Sequence, residues 1–455
     1  MRSSRGSRTR LPTAPSEHRG LVALASTPAV WHGLTVLAAG VLIFALQTGQ
    51  WFFFDEWAFL EPGGVGLFDA HVGHWSTTPT LIYDGLIATF GLHSYLPFAA
   101  LVTALHLIAG HLIWRICIAT GVDAWIATAA TMVFLFLGTG AENILWAFQI
   151  GFVGAVALGL WAFLLALKPT TGPARYLAIL AISVFSLTWS GTAIPLVVAT
   201  ASLLLARWGW RRALVYVVVT AGVYLAWWLQ FAVNAGPDTG GLSVWKLFVA
   251  MPAFLGVMLV LGFGDVFPIP GLGIVLLLAV GAWLISLWVR RRRIPKALPA
   301  VLLLAAAALF AFMTAYSRAA LSVGSGRSSR YVYLIVLLML PVLALAVTHL
   351  TKNRRGLRIG AIALLVLLAG YQTYILVRAA QNQSEVEIGS QRVLSAALDL
   401  YLDGEPGIDL ARQPDPRWAP DITMEGLVEL YEHGLITIVP VTDADLEQAR
   451  ANIIP

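Results

Sequence analysis

The sequence predicts an all-α polytopic membrane protein, on three observations. Hydrophobic residues make up 58% of the 455-residue chain and charged residues 12%, with a mean hydropathy of +0.79; a soluble chain of this size needs far more polar surface. Apolar stretches of about 20 residues recur along most of it, the length with which a helix crosses about 30 Å of hydrocarbon. Runs such as VLLLAAAALFAF at 301–312 do not alternate as barrel strands must. A segment inside lipid has to satisfy its own backbone, so these stretches are read as helices.

About eleven spans are expected, at 31–50, 96–116, 125–141, 144–166, 175–189, 191–206, 213–232, 271–289, 298–316, 331–349 and 358–377. A basic cytoplasmic tail (1–30) precedes them. No small-residue cleavage signature follows the first run, which is read as an uncleaved span. The single cysteine, Cys117, falls inside an apolar helix and is read as packing.

Charge sets the orientation. Most of the 29 Lys+Arg fall in the tail and in alternate short loops, around Arg115, Lys168, Arg207, Arg290–Arg293 and Arg354. Of 24 Asp+Glu, only Glu17 and Asp123 fall on that side. Positive charge stays inside, so the N-terminus is expected in the cytoplasm of a cell whose plasma membrane holds the chain, and the C-terminus outside. One further apolar stretch, KLFVAMPAFLGVMLVLG at 246–262, would reverse this orientation if it crossed. It is read as a re-entrant or outer helix, bent at Pro252 and Gly262/Gly264. The spans 175–189 and 191–206 are short, so the turn Trp189-Ser190-Gly191-Thr192 should sit below the outer surface, as beside a cavity. No internal repeat and no feature of nucleic-acid binding is found.

The outer segments hold the candidate chemistry. The first outer loop (51–95) opens WFFFDEWAFL, placing Asp55 and Glu56 at interface depth between aromatics. Carboxylates are costly there unless paired or used. Asp69, His71, His74 and Tyr83 follow. His71 and His74, three apart, would share a face on a helix. With Asp69 they could hold a divalent metal, although hydrogen bonding to an anionic substrate is the favoured use. A second outer turn supplies Glu142, Asn143 and Gln149. A third, YSRAALSVGSGRSSRYVY, supplies Arg318, Arg327, Arg330 and Tyr331. Guanidinium groups bind phosphate in a two-pronged geometry, and Lys246 is a further outer cation. Carboxylates that deprotonate an acceptor, facing arginines that neutralise a leaving phosphate, suit transfer of a sugar from a lipid phosphate.

On these residues the chain resembles the GT-C superfamily of membrane glycosyltransferases, which includes protein O-mannosyltransferases, aminoarabinose transferases and actinobacterial relatives. The resemblance spans roughly 31–377. Asp55-Glu56 matches the acidic motif after the first span, Glu142 matches the position of a second acid, and SRYVY at Arg330-Tyr331 is similar to a late-helix segment. The resemblance implies a polyprenyl-phosphate sugar as donor, with a glycan, lipid or protein as acceptor on the non-cytoplasmic face, and an inverting displacement. Asp55 would be general base and Glu56 or Glu142 its orienter or metal contact, with Arg330, and after it Arg318, Arg327 or Lys246, on the phosphate. No cofactor is required by this reading, and a divalent metal is compatible with it. The tail (378–455) departs from the pattern. It is expected to form a small extracytoplasmic region, with helix near 384–402 and 423–433 and a strand-like run at Ile436–Val441, too small for a large outer domain. Two other function classes fit the outer arginines. A transporter or flippase would place ionisable groups at the bilayer midplane, where His106 and His111 are the main ones. A non-catalytic subunit of a glycan-assembly complex would need no convergence of Asp55 with Arg330.

Overall fold

A computed structural model describes residues 27–168, 172–233, 243–289 and 294–455. The basic tail up to residue 26 and the Arg290–Arg293 cluster, both used above for orientation, lie outside these residues. Among the described residues, nine helices are long and apolar enough to cross a bilayer, and three shorter apolar helices accompany them.

The order begins with α1 (Pro28–Gln47), a turn of 3-10 helix (Phe54–Phe59) and a hairpin of β1 (Ala70–His71) with β2 (His74–Trp75). The helices α2 (Thr77–Phe90), α3 (Leu96–Ala119), α4 (Ala124–Leu135), α5 (Ile150–Ala166), α6 (Pro173–Leu187), α7 (Ile194–Trp208) and α8 (Trp210–Trp227) follow. Next come α9 (Lys246–Val266) and α10 (Leu272–Val289), then α11 (Ile294–Arg318), α12 (Ser329–Thr351), α13 (Arg355–Leu402), α14 (Met424–Glu432) and α15 (Asp443–Ile453). The most enclosed span is α12, buried along most of its length. Lipid-facing helices such as α8 expose Leu214, Val218 and Leu225, which in a bilayer costs nothing.

Each of the eleven expected spans corresponds to a helix, and the differences are local. The span expected at 125–141 ends at Leu135. Gly138 then lies flat against α13, where a Cβ would come within 2.3 Å of the Leu376 amide nitrogen. The span expected from 144 begins as two short turns, Glu142–Leu145 and Ala147–Gln149, before α5. The last span does not stop at 377. α13 runs on for 48 residues, about 72 Å at 1.5 Å per residue, so the expected boundary at 378 falls inside one continuous helix. Ile436–Val441 is irregular chain rather than strand, and α15 follows it.

One end of the bundle gathers loop 51–95, the turns at 136–149, 188–193 and 318–329, and the C-terminal segment; we refer to it as the loop end. The ties across it are specific. The Trp51 amide donates to the Glu387 carboxylate at 2.8 Å, Phe54 to the Trp418 carbonyl at 2.7 Å, and Thr78 to the Thr188 carbonyl at 3.1 Å. Glu61 accepts from both the amide and hydroxyl of Thr423, the residue that caps α14.

The helix α9 stays at this end. Lys246, at its start, sits 4.3 Å above the Tyr316 ring near the close of α11. Its middle passes Gly326, where a Cβ would approach the Phe254 carbonyl to 2.9 Å. At its close Asp265 makes a two-pronged ion pair with Arg327. Start, middle and close all follow the turn that joins α11 to α12, so α9 lies along the bundle end.

Candidate active site

The turn after α1 is held in an unusual backbone conformation. Phe54 has φ +53°, a left-handed value for which a non-glycine residue costs on the order of 1–3 kcal/mol unless its surroundings fix it. Here the C-terminal segment does so, through the Trp418 carbonyl and through its ring, 5.6 Å from that of Phe53.

The consequence is that adjacent carboxylates face opposite ways. Asp55 is half-buried and lines a chamber of about 660 Å³. Glu56 is fully buried behind it. Glu56 accepts from the Tyr83 hydroxyl, from the Phe53 amide at 3.3 Å and from the Tyr95 hydroxyl at 3.4 Å. Tyr95 in turn accepts from the Ala147 amide at 2.6 Å, so Glu56 joins the Asp55 turn to the segment leading into α5. Burial pushes the Glu56 carboxyl up to about 8, making it a neutral acid at physiological pH. Asp55 is also raised by burial, but the opposing charge of Arg330 holds it down.

Arg318 and Arg330 line the same chamber as Asp55, together with His74 and Tyr331. Arg330 is attracted to Glu142, with Nε 3.3 Å from Oε2, yet neither of these atoms makes a hydrogen bond. The Glu142 amide is anchored by the Ser329 hydroxyl. Burial raises the Glu142 carboxyl against the pull of Arg330. The pair is therefore preassembled and loosely joined, which leaves guanidinium N–H groups available to a ligand.

The hairpin departs from expectation. His71 and His74 do not lie on one helical face; they pair across β1 and β2 around a tight turn. Val72 (φ +50°) and Gly73 (φ +80°) both take left-handed values there, as this two-residue turn demands. Burial lowers both imidazoles to about 4, so they are neutral. Among the described residues no three His, Cys, Asp or Glu side chains come together as a metal site, so no residue is assigned to a metal.

The other expected site residues are distributed around the chamber. Gln149 and His71 border a small recess beside Asp55. Tyr83 stands behind Glu56. Asn143 is fully buried, with neither side-chain polar atom hydrogen-bonded. Lys246 is buried against Tyr316, itself a wall of the chamber. Arg327 faces away, engaged by Asp265 beside a separate pocket of about 300 Å³ that reaches the far side of Glu142.

The chamber also has contributors that were not singled out in the sequence. Ser317, Ser325 and Ser328 line it, and the serine-rich stretch at 322–329 was a usable signal for a polar ligand. The C-terminal segment brings Asp421 close enough to raise the Asp55 carboxyl, with no local sequence signal. On its other side the chamber meets an apolar groove of about 830 Å³ between α7 and α8, sharing Ile194, Tyr224 and Trp228. The groove runs along the lipid-facing surface past Val217 and Leu214 to Trp210.

No protein-family model matches the sequence, and no curated protein does. A solved structure is similar: ArnT from Cupriavidus metallidurans bound to undecaprenyl phosphate, with a TM-score of 0.53 over 93% of this chain and 89% of that one, at 15% identity. Such an identity speaks to architecture rather than activity. The chain is thus an integral membrane protein with the polytopic helical fold of ArnT.

Proposed function

We propose that this protein transfers a sugar from a polyprenyl-phosphate donor to an acceptor at the loop end, which faces away from the cytoplasm. In this reading residues 31–377 form the transmembrane unit and 378–455 the small extracytoplasmic region that covers its site. One observation carries the proposal: a carboxylate and two arginines share a chamber that borders an apolar groove, with Ile194, Tyr224 and Trp228 common to both. A lipid phosphate has the same two-part chemistry. ArnT, whose fold this chain shares, was solved with undecaprenyl phosphate bound.

The donor phosphate lies between Arg318 and Arg330, and its isoprenoid chain runs down the groove between α7 and α8. Asp55 accepts the proton of the acceptor hydroxyl. The resulting oxygen attacks the anomeric carbon, and the bond to the phosphate oxygen breaks on the opposite face, inverting configuration. The arginines neutralise the charge that develops on the departing phosphate. A carboxyl raised above its ordinary range is a stronger base once ionised, and Arg330 keeps enough of it ionised to act. Glu142 holds Arg330 in place when the chamber is empty. Glu56 is a positioning residue, fixing the turn that presents Asp55.

The test is transfer from radiolabelled polyprenyl-phosphate sugars in membranes with and without the protein, together with Asp55→Asn. Label should move to an acceptor fraction only with the wild type. Equal transfer by wild type and Asp55→Asn would falsify the assignment of Asp55. Saturable export of the intact donor by both would favour the flippase reading.

A further inference from the structure

A recess beside Asp55 adjoins the chamber and shares Asp55, His74, Phe152, Arg318 and Arg330 with it. It measures about 50 Å³, and His71, Gln149, Trp189 and the apolar Phe148 line it without lining the chamber. Four polar atoms of its lining residues are buried without a hydrogen-bond partner: Nε2 and Oε1 of Gln149, Nε2 of His71 and Nε1 of Trp189. Gln149 is only 1% exposed. Leaving such atoms unpaired costs about 1–3 kcal/mol each, so their grouping on the side chains around one recess points to a ligand group that completes them.

The elements around it hold these groups still. Gln149 closes the short turn before α5, and His71 is pinned in the hairpin between the rings of Phe59 and Phe148. The Trp189 indole lies over Gly154, where any Cβ would fall 2.1 Å from Cε3. Only glycine permits that approach.

We propose that this recess receives one hydrogen-bonding substituent of the transferred sugar, and that Gln149, His71 and Trp189 determine which sugar is accepted. The inference rests on the donor reading above. Volume selects the size of the group. A single water needs about 10–15 Å³ of such space, so the recess accommodates a small substituent such as a hydroxyl or hydroxymethyl. Chemistry selects its polarity. The set combines N–H donors from Trp189 and Gln149 with an acceptor, Gln149 Oε1, and a hydroxyl both donates and accepts. With the substituent seated, the sugar ring lies in the chamber beside the Asp55 carboxylate, so recognition and reaction geometry are set together.

A site built to hydrogen-bond a hydroxyl rejects a substrate lacking it far more strongly than an apolar pocket rejects a missing methylene. The test uses the full-length protein in nanodiscs, as wild type, Gln149→Leu and His71→Phe. Each receives a panel of undecaprenyl-phosphate pentoses and hexoses with the matching monodeoxy sugars, and undecaprenyl phosphate alone in a binding assay. The wild type should prefer a donor over its deoxy analogue at one ring position by about 100-fold or more in kcat/KM. Gln149→Leu should reduce that preference to below about tenfold, with His71→Phe intermediate. Unchanged affinity for undecaprenyl phosphate would show that the variants are folded. Full discrimination in both variants, or none in the wild type, would overturn the proposal. Failure of the wild type to bind undecaprenyl phosphate would overturn the donor reading and the recess with it.

Discussion

The two ends of the bundle use the same residue types to opposite effect. At the end away from the loops, Asp123 caps α4 and pairs with Arg358 at 3.1 Å, in a contact that orients a helix start. At the loop end, Asp55 and Glu142 are partly buried and face Arg318 and Arg330 around a chamber. A partly exposed pair of the first kind contributes about 0–1 kcal/mol. Burial raises both loop-end carboxyls against the pull of Arg330.

That contrast can be broken by substitution at either end. Asp55→Asn should lower transfer by about 10²–10⁴-fold, the usual contribution of a general base. Asp123→Asn should leave turnover within about twofold, since it removes only a partly exposed ion pair away from the chamber and keeps the capping oxygen. Arg330→Ala, followed by the same assay and by undecaprenyl phosphate binding, should cost about 10²-fold or more through the loss of a charge-assisted contact. Arg327→Ala should have a much smaller effect, because Arg327 is committed to Asp265 outside the chamber.

A smaller effect is expected behind the site. Glu56→Gln keeps the neutral form that burial already favours, so transfer near pH 7 should fall by less than about tenfold. The sign of its effect on stability follows from a carboxyl raised from 4.5 to about 8. The unfolded chain ionises at the lower value and the folded chain at the higher. Wild-type stability therefore declines, relative to Glu56→Gln, as pH rises from about 4.5 to about 8. Thermal unfolding in detergent at pH 5 and pH 8 checks this, and parallel losses in both proteins would contradict it. The smallest effect sharpens the role of the tail. Trp418→Ala leaves the backbone carbonyl in place and removes only the ring packed on Phe53. It should reduce kcat severalfold while leaving binding of undecaprenyl phosphate unchanged.

The sequence disclosed what is local and concealed what depends on distant packing. Spans such as α3, α11 and α12 announce themselves because a long apolar run has few alternatives in lipid. Helix near 384–402 was legible, but its continuity with the span ending at 377 was hidden by hydropathy, which falls at QNQSEVEIGSQR, although Gln, Glu and Arg remain good helix formers. His71 and His74 invited a helical reading through their spacing; only Gly73 hinted at the hairpin, and Val72 argued against its left-handed turn. Asp55, Arg318 and Arg330 were legible because carboxylates and guanidiniums at interface depth need a reason. The division of labour between Asp55 and Glu56 was not, since two adjacent acids look alike until a 3-10 turn points one inward. Trp418 and Asp421 carried no signal, because nothing in a polar tail specifies the surface it will cover.

The central claim is that lipid phosphate and Asp55 meet in one chamber. Electron cryomicroscopy of the protein in nanodiscs with undecaprenyl phosphate tests it most directly. The account requires density for a phosphate between Arg318 and Arg330, within reach of Asp55, continuing as an isoprenoid chain between α7 and α8. A phosphate bound elsewhere, with that chamber empty, would contradict it.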